Sequence, residues 1–330
     1  MKIVIVKLSA LGDIVHAMVA LQFVKQARPD VSIDWLVEEG FAGVLQGNPD
    51  INQVLTVNLK SLKQNKVDFF KEIKKVRLYA KNNYDLVIDA QGLIKSAITS
   101  RLLSTHVAGF DKQSIREKPA SCLYKKQINY PYDGNTIDRN VAVIGQPLDV
   151  KITEQQIINK APFLFYSNGL AELTSFFSTN DKNIIFVIGS TWPSRNYPKE
   201  QYLKVIQGLN ANSLIIWGNS EEKLAADWIA SQTDKATVLP KLDFDQLKAV
   251  LANSNLVIGN DTGPTHMAWG FNIPSITLFG PTPVSRVYQT AINKVLKSSS
   301  IINHFKLDKN DFSIKEIKED EIILLAKSLL

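Results

Sequence analysis

The sequence predicts an α/β protein with two Rossmann-like domains, each built on a doubly wound parallel sheet. Short apolar, β-branched runs alternate with longer amphipathic stretches, a pattern typical of parallel strands joined by helices. This alternation lapses near the middle of the chain and restarts at Asn183. The chain has 330 residues, whereas single cores stop growing at roughly 250–300 residues. We expect an N-terminal domain of residues 1–170 and a C-terminal domain of residues 171–330.

In the first half, strands are predicted at 3–6, 32–37 and 85–89, and helices at 14–26, 93–103 and 138–144. In the first of these helices Ala17, Leu21 and Val24 recur on one face. The stretch 110–128 is irregular and basic, and Pro131 with Asp133-Gly134 marks turns after it.

In the second half, strands are predicted at 184–188, 213–217, 255–258 and 275–279, the last of them closing the sheet. Helices are predicted at 199–209, 221–231, 243–252 and 314–329, and Asp243 suits the N-cap of the third. Periodicity predicts the final helix without fixing its place. Packing back on the N-terminal domain is one arrangement consistent with it.

Composition bounds the kinds of protein this chain can be. It is 45% hydrophobic and 21% charged, which is ordinary for a globular protein. The net charge of +6 favours an anionic partner, such as a nucleotide, an anionic lipid surface or a nucleic acid, although it also serves solubility alone. The single cysteine, Cys122, forms no disulfide within the chain and fits a reducing compartment. No segment approaches the ~18 apolar residues of a membrane span, so we expect a soluble or peripheral protein.

Ligands of parallel α/β sheets bind outside the carboxyl ends of the strands, at the point where the strand order reverses. Functional residues are therefore expected directly after strands. Two such sheets in tandem are expected to face each other across a cleft.

The segment after the first strand, residues 7–16, contains Gly12 but no GxGxxG pattern. It therefore disfavours a dinucleotide cradle, and with it an NAD-dependent dehydrogenase. Asp13 lies at a helix start, where its carboxylate suits a general base acting on an acceptor hydroxyl. The alternative is that Asp13 is the N-cap of this helix. His16, one turn further on, is interpreted as structural.

A second polar segment, residues 258–268, follows a strand and opens a helix. Gly263 permits close approach of the backbone to a ligand, and the unpaired N–H groups of a helix start favour phosphate oxygens. Asp261, Thr262 and His266 add polar side chains at the same turn. A capped helix without a ligand is the alternative.

The third segment, residues 189–198, also lies between a strand and a helix. Ser190 and Thr191 suit hydrogen bonds to a pyrophosphate, and Arg195 suits neutralisation of charge on a leaving phosphate. Glu222, after the next strand, suits ribose hydroxyls, although an acid favoured by the helix dipole is an equal alternative.

Five segments taken in order resemble the bacterial heptosyltransferases of glycosyltransferase family 9, and within them heptosyltransferase I. The resemblance covers essentially the whole chain. It is carried by SALGDIVH at 9–16, DAQGLIKSA at 89–97, GFD at 109–111 with Arg116-Glu117, DRN at 138–140 and NDTGPTH at 260–266.

The resemblance implies the GT-B type of fold and an inverting transfer that uses neither metal nor cofactor. The donor would be ADP-L-glycero-β-D-manno-heptose, bound by the C-terminal domain. The acceptor would be the Kdo sugar of Kdo2–lipid A, bound by the N-terminal domain. The enzyme would act in lipopolysaccharide inner-core biosynthesis, in the cytoplasm and peripheral at the cytoplasmic face of the inner membrane.

The resemblance also implies a role for each site residue. Asp13 would be the general base, and Arg195, where the family often has a lysine, would assist the leaving group. Glu222 would bind ribose. Pyrophosphate and heptose contacts would come from Ser190, Thr191, Asp261, Thr262, Gly263 and His266. Acceptor contacts would come from Lys7, Ser9, Gly12, Lys112, Arg116 and Lys118, the last three of which also fit a solvated loop.

The pair Asp243 and Asp245 matches the Asp-x-Asp signature by which one class of glycosyltransferases binds a metal and a nucleotide. Here the two acids open an amphipathic helix, which favours acids at its start, so we expect no metal. Heptosyltransferase II, a sugar-nucleotide epimerase and a non-catalytic nucleotide-sugar or lipid-binding module remain alternatives. No motif supports a nucleic-acid partner.

Overall fold

Two six-stranded parallel sheets make up the fold of the computed structural model, which describes residues 1–59 and 67–330. The chain divides into two units, Met1–Phe163 and Leu164–Leu330. The division lies a few residues before the predicted boundary at 170/171. Backbone amides of Ser167 and Asn168 donate to the carboxylate of Asp245, at 2.9 and 3.1 Å, which attaches this stretch to the second unit.

The sheet of the first unit has the strand order β3-β2-β1-β4-β5-β6. Its strands are β1 (Lys2–Val6), β2 (Ser32–Glu38), β3 (Gln53–Val57), β4 (Leu86–Asp89), β5 (Val107–Phe110) and β6 (Lys126–Ile128). Its helices are α1 (Leu11–Ala27), α2 (Ala42–Leu45), α3 (Val67–Ala80), α4 (Ile94–Leu103), α5 (Thr136–Gly145) and α6 (Glu154–Ile158).

Helices cover both faces of this sheet. α1 packs against α5, whereas α3 packs against α4, which in turn packs against the 3-10 turn Lys118–Leu123. Right-handed crossovers place α1 on one face of the sheet and α3 and α4 on the other. The chain moves from β1 to β3 in one direction and then from β3 through β4 to β6 in the opposite direction. The central strand β1 is fully buried from Ile3 to Val6, as expected of a parallel strand covered on both faces.

The second unit repeats this plan with the strand order β12-β11-β10-β7-β8-β9. Its strands are β7 (Asn183–Val187), β8 (Asn212–Ile216), β9 (Ala236–Val238), β10 (Leu256–Asn260), β11 (Ser275–Phe279) and β12 (Asn293–Lys297). Its helices are α7 (Lys199–Leu209), α8 (Ser220–Ser231), α9 (Phe244–Ala252), α10 (Gly263–Phe271) and α11 (Glu319–Leu329).

The predicted fold class is confirmed in both units, whereas several elements were missed. The predictions omitted the helices α2, α3 and α6 and the strands β3, β5, β6, β9 and β12, so the second sheet was wrongly closed at β11. Short edge strands with polar ends, such as β12 (Asn-Lys-Val-Leu-Lys), give little apolar signal because they bury few side chains. Among the helices of residues 1–59 and 67–330, none is long and apolar enough to cross a membrane.

The final helix begins at Glu319, later than the predicted residue 314, because a separate 3-10 turn occupies Ser313–Glu316. α11 packs against α7 of its own unit. Gly208 makes the packing close, since a Cβ there would lie 2.4 Å from Cδ1 of Ile323. Lys204 and Glu319 form a salt bridge of 2.9 Å across the same two helices.

Candidate active site

In the first unit the strand order reverses between β1 and β4, and the loops that follow these two strands meet at the carboxyl edge of the sheet. Gln91, after β4, links them, because its Oε1 accepts from the backbone amides of both Leu8 and Ser9 at 3.0 Å. The loop that precedes α1 is thereby fixed on the neighbouring loop.

Asp13 lies in the first turn of α1, half-buried beside Gly12. Its Oδ2 accepts a hydrogen bond of 3.3 Å from the backbone amide of Ala10. Ala10, not Asp13, is the N-cap of α1, so the alternative prediction for Asp13 was wrong; the bond is instead a capping contact from the third residue of the helix. It uses one carboxylate oxygen of a partly exposed side chain, so the geometry also suits a base for an acceptor hydroxyl.

Lys7 was predicted to contact the acceptor, but the structure places it inside the unit with 6% of its surface exposed. Its Nζ donates to the carbonyl of Ala90 at 2.8 Å and to Oδ1 of Asn140 at 3.0 Å. Burial lowers the pKa of Lys7, and the nearby carboxylates of Asp13 and Asp89 oppose that shift. The Lys7 ammonium therefore links the end of β1 to the loop after β4 and to α5, and it is not exposed for contact with an acceptor.

Asp89 explains much of the motif that follows β4. Its buried carboxylate accepts from the amides of Gln91 and Gly92 and from the hydroxyls of Ser96 and Tyr124, at 2.8–3.1 Å. Burial raises the pKa of Asp89, whereas these hydrogen bonds oppose the increase. The motif thus shapes the loop, with Gly92 in the left-handed region at φ +70°.

The three basic residues predicted for the acceptor, Lys112, Arg116 and Lys118, are all exposed. Arg116 and Lys118 flank Glu117 in the chain, and Oε2 of Glu117 accepts from the amide of Ile94 at 2.7 Å where α4 begins. Exposure suits both an acidic acceptor and a solvated loop, so the two interpretations remain open. Ser9 is half-buried, and His16 is buried in α1, as expected of a structural histidine.

In the second unit the strand order reverses between β10 and β7, and a buried ionic cluster lies at this point. Asp261, directly after β10, is 1% exposed. Its carboxylate lies 3.1 Å from Nη2 of Arg195, 2.9 Å from Nε2 of His266 and 4.0 Å from Nε of Arg286, and it accepts from the hydroxyl of Thr282 at 2.7 Å.

Burial alone would raise the pKa of Asp261, but Arg195, His266 and Arg286 hold it well below its usual range. The carboxylate is therefore ionised at neutral pH. Since protein groups occupy both of its oxygens, Asp261 positions Arg195 and His266, whereas its predicted direct contact with a donor is not supported by this geometry. Two guanidinium groups against one carboxylate leave the cluster positive.

Thr262 is the N-cap of α10, and Gly263 is its first residue. The helix start lies at the carboxyl edge of the sheet beside the ionic cluster, where backbone N–H groups suit phosphate oxygens. Gly259 permits this close packing, since a Cβ there would lie 2.6 Å from the hydroxyl of Thr265.

The loop after β7 presents Ser190 and Thr191 at the same edge. The hydroxyl of Ser190 lies 2.9 Å from the carbonyl of Trp192 and 2.7 Å from Oδ1 of Asn196, whereas Thr191 is exposed. The ring of Trp192 contacts two cations, the guanidinium of Arg195 at 5.5 Å and the ammonium of Lys309 at 4.9 Å.

Glu222, in the first turn of α8, lies against the loops after β7 and β8. It accepts from the amide of Gly218 at 2.5 Å and from Nδ2 of Asn219 at 2.8 Å. A Cβ at Gly189 would lie 2.0 Å from Cδ of Glu222, so a larger residue at this position would have to displace the Glu222 carboxylate. The side chain of Glu222 is half-buried, and its ribose contact stays a prediction.

Asp243 and Asp245 both have structural partners. Asp243 is the N-cap of α9, as predicted, and accepts from the amide of Gln246 at 2.8 Å. Asp245 accepts from the amides of Ser167 and Asn168. In the part of the chain that the structure describes, no group of three His, Cys, Asp or Glu residues suits a metal ion.

Four residues near these sites were not predicted from the sequence: Arg286, Thr282 and Lys309 in the second unit, and Gln91 as the link between the two loops of the first unit. Thr282 and Arg286 lie in the loop that directly follows β11, the position that marked the other candidates. The signal was therefore present in the segment Gly280–Arg286, and it was overlooked because β11 was taken as the end of the sheet.

Comparisons with known proteins agree with this architecture. The model of glycosyltransferase family 9 (heptosyltransferase) matches residues 73–314. Lipopolysaccharide heptosyltransferase 1 of Campylobacter coli is 35% identical over 343 residues, covering 100% of this chain and 99% of that protein. The enzyme of the same name from Pseudomonas aeruginosa is 30% identical, over 86% of this chain and 79% of its own length.

A solved structure, E. coli heptosyltransferase WaaC with ADP-2-deoxy-2-fluoro heptose, is similar in fold over 100% of both chains, with a TM-score of 0.82 and 25% identity. The family match covers most of the chain, and the first relative spans all of it. The chain is therefore a glycosyltransferase and belongs to family 9, the heptosyltransferases.

Proposed function

We propose that the chain catalyses an inverting transfer of L-glycero-D-manno-heptose from ADP-heptose to the Kdo sugar of Kdo2–lipid A, the activity of a lipopolysaccharide heptosyltransferase I. The relatives at 35% and 30% identity carry that name, and the solved structure at 25% identity holds an ADP-heptose analogue. The observation that carries the proposal is the positive cluster of Arg195, Asp261 and Arg286 at the switch point of the second unit.

The cluster supports a diphosphate donor in the second unit. Its surplus guanidinium charge and the start of α10 after Thr262 and Gly263 offer donors to phosphate oxygens at one sheet edge. Further pyrophosphate and heptose contacts come from Ser190, Thr191 and His266, and ribose contacts from Glu222. Asp261 serves them indirectly, by holding Arg195 and His266 in place.

The chemistry is a single displacement. Asp13 removes the proton of an acceptor hydroxyl while that oxygen forms a bond to the anomeric carbon of the heptose. The bond from this carbon to the β-phosphate oxygen breaks on the opposite face, and ADP leaves with the electron pair, stabilised by Arg195. The configuration at the anomeric carbon is thereby inverted, and no residue forms a covalent intermediate.

The acceptor would bind the first unit, where Ser9 and Gly12 follow β1 and the exposed cations Lys112, Arg116 and Lys118 follow β5, at the same carboxyl edge of the sheet as Asp13. The acidic acceptor is anchored in a bilayer by its lipid part. The protein would therefore work in the cytoplasm, peripheral at the cytoplasmic face of the inner membrane, with no nucleic-acid partner.

The test is transfer of heptose from ADP-heptose to Kdo2–lipid A by the purified protein, in the presence of EDTA. Asp13→Asn is the informative variant, because an amide oxygen at this position still accepts from the amide of Ala10 but does not act as a base. We expect product with the wild type and a loss of at least a hundredfold in kcat with Asp13→Asn.

Asp234→Asn, which changes an exposed acid of the second unit, is the matched control and should leave kcat unchanged. Full activity of Asp13→Asn would refute the assigned base. Product only with heptosylated acceptors would indicate heptosyltransferase II. Conversion of the nucleotide sugar without an acceptor would indicate an epimerase, and tight donor binding without conversion would indicate a non-catalytic binding module.

A further inference from the structure

The net positive charge of the chain comes entirely from its first unit. Residues 1–163 hold 22 Lys and Arg against 16 Asp and Glu, whereas residues 164–330 hold 16 of each. Within the first unit, residues 70–125 hold 11 basic residues against 5 acidic ones, and two of those acids, Glu72 and Asp89, are buried. The surface formed by this stretch is therefore strongly cationic.

Helix α3 supplies one half of that surface. Lys71, Lys74 and Arg77 on α3 and Lys81, directly after it, are exposed and recur at the spacing of a single helix face. The opposite face is buried through Val76 and Glu72, whose Oε2 accepts from the amide of Asn58 at 2.9 Å. The buried acid therefore does not neutralise the outer face.

Helix α4 supplies the other half and lies beside α3. Lys95 and Arg101 are exposed on it, and its sequence from Ile94 to Leu103 contains no acid. The surface continues past the start of α4 to Arg116 and Lys118, because Glu117 between them bonds the amide of Ile94. We call the exposed side of α3, α4 and the turn Lys118–Leu123 the cationic face.

Large apolar side chains are exposed among these cations. Phe70 and Leu78 on α3 are 74% and 58% exposed, and Ile94 and Ile98 on α4 are 41% and 50% exposed. Single exposed apolar residues are ordinary, but four of them on two packed helices form a patch. Apolar side chains interleaved with Lys and Arg are typical of surfaces that lie in a lipid interface.

We propose that the cationic face docks on an anionic lipid bilayer, with its cations against the headgroups and Leu78 and Ile98 inserted at the acyl boundary. A nucleic acid would satisfy the charge, but it offers no apolar phase for four aliphatic and aromatic side chains. The bilayer satisfies both features, so charge complementarity and apolar exposure favour the same occupant.

The position of this face also fits the proposed function, on which the reason for docking rests. α4 begins after the carboxyl end of β4, beside the loop that carries Gln91. Gln91 is hydrogen-bonded to the loop that precedes Asp13. A bilayer against the cationic face would therefore lie next to the sheet edge where a lipid-anchored sugar has to reach the base.

The experiment measures sedimentation of the full-length protein with vesicles of phosphatidylcholine and phosphatidylglycerol at 3:1, and with phosphatidylcholine alone. We expect binding to the anionic vesicles only, weakening as NaCl is raised. The variant K71Q/K74Q/R77Q should partition on the order of a hundredfold less. The matched control K182Q/K297Q/K327Q, which removes three exposed lysines of the second unit, should bind like the wild type.

A second pair of variants tests insertion. L78S/I98S should weaken vesicle binding several-fold at unchanged charge, whereas L224S/L324S, which changes two leucines of the second unit that are more exposed, should not. Unchanged thermal unfolding midpoints exclude misfolding as the cause. Equal vesicle binding by K71Q/K74Q/R77Q and K182Q/K297Q/K327Q would overturn the proposal. Binding of the wild type to an oligonucleotide but not to anionic vesicles would overturn it as well.

A transfer assay separates this proposal from the proposed function. K71Q/K74Q/R77Q should lose at least tenfold in transfer to Kdo2–lipid A held in anionic vesicles, while it keeps wild-type transfer to a deacylated, water-soluble acceptor. If the wild type transfers heptose to neither acceptor, the proposed function fails, and the vesicle sedimentation still decides the docking face.

Discussion

Nη2 of Arg195 lies 3.1 Å from Oδ2 of Asp261, and both side chains are almost completely buried, at 8% and 1% exposed. The pair joins the loop after β7 to the loop after β10, the two strands between which the order of the second sheet reverses. A buried ion pair whose partners have further hydrogen bonds is costly to break, because removal of one partner leaves the other charge uncompensated.

The first prediction concerns Asp261→Asn. The amide keeps the size of the side chain and can still meet Thr282, but it removes the charge that holds Arg195 and His266. We expect kcat/KM for ADP-heptose to fall by ten- to a hundredfold, and the free energy of unfolding to fall by about 3 kcal/mol. Steady-state kinetics and urea unfolding at pH 7 measure the two effects.

Asp227→Asn is the control for this experiment, since Asp227 forms an exposed i,i+4 salt bridge with Lys223 and such pairs contribute little. Both its kinetics and its unfolding should stay close to those of the wild type. An Asp261→Asn enzyme with unchanged kcat/KM would show that the cluster stabilises the fold without serving the donor.

The second prediction concerns the pH dependence of stability. The pKa of Asp261 is held well below its usual range in the folded protein, whereas in the unfolded chain it is about 3.9. Its contribution is therefore fully present above about pH 4 and is lost as the pH falls further, because the unfolded chain takes up the proton first. Wild type should lose more unfolding free energy between pH 5 and pH 3 than Asp261→Asn, measured by urea unfolding. Parallel curves for the two proteins would contradict this assignment.

The sequence predicted the fold class and the positions of the site loops, because both depend on local signals. Buried central strands such as β1 and β10 are continuous apolar runs, and polar segments that follow strands mark the carboxyl edge of a parallel sheet. Asp13, Arg195, Thr262 and His266 all lie at such edges in the structure.

What the sequence did not predict depends on partners that are distant along the chain. Lys7 was expected to face a ligand, yet its ammonium bonds Asn140, 133 residues away. Arg286 reaches Asp261 from the loop after β11, and no local pattern indicates that pairing. The exposure of Leu78 and Ile98 was equally unpredictable, because helical periodicity alone does not show which apolar residues a neighbouring layer covers.

The third prediction concerns Gly189 and Glu222. A Cβ at position 189 would lie 2.0 Å from Cδ of Glu222, so Gly189→Ala has to displace the carboxylate that we assign to ribose. We expect both Gly189→Ala and Glu222→Ala to raise KM for ADP-heptose about tenfold, with kcat little changed.

The double variant decides whether the two changes act through one contact. If Gly189→Ala works by moving Glu222, then Gly189→Ala/Glu222→Ala should have the KM of Glu222→Ala alone, since the smaller side chain relieves the clash. A KM raised by the product of the two single effects would mean that Gly189 and Glu222 serve the donor independently.

The fourth prediction concerns Lys160, a buried cation near the end of the first unit. It is 5% exposed, its ammonium lies 5.5 Å from the ring centre of Phe163, and burial lowers its pKa to about 7. In the unfolded chain the pKa of a lysine is about 10.4. Below pH 7 the amine is charged in both states, and its burial in the folded protein costs free energy. Above pH 7 the folded protein releases the proton and this cost declines, so stability rises between about pH 7 and pH 10.

Lys160→Met removes the titrating group and keeps the length of the side chain. At pH 6.5 the variant should exceed the wild type in unfolding free energy by a few kcal/mol, and the difference should shrink steadily toward pH 9.5. A difference that does not change with pH would show that Lys160 stays charged in the folded protein.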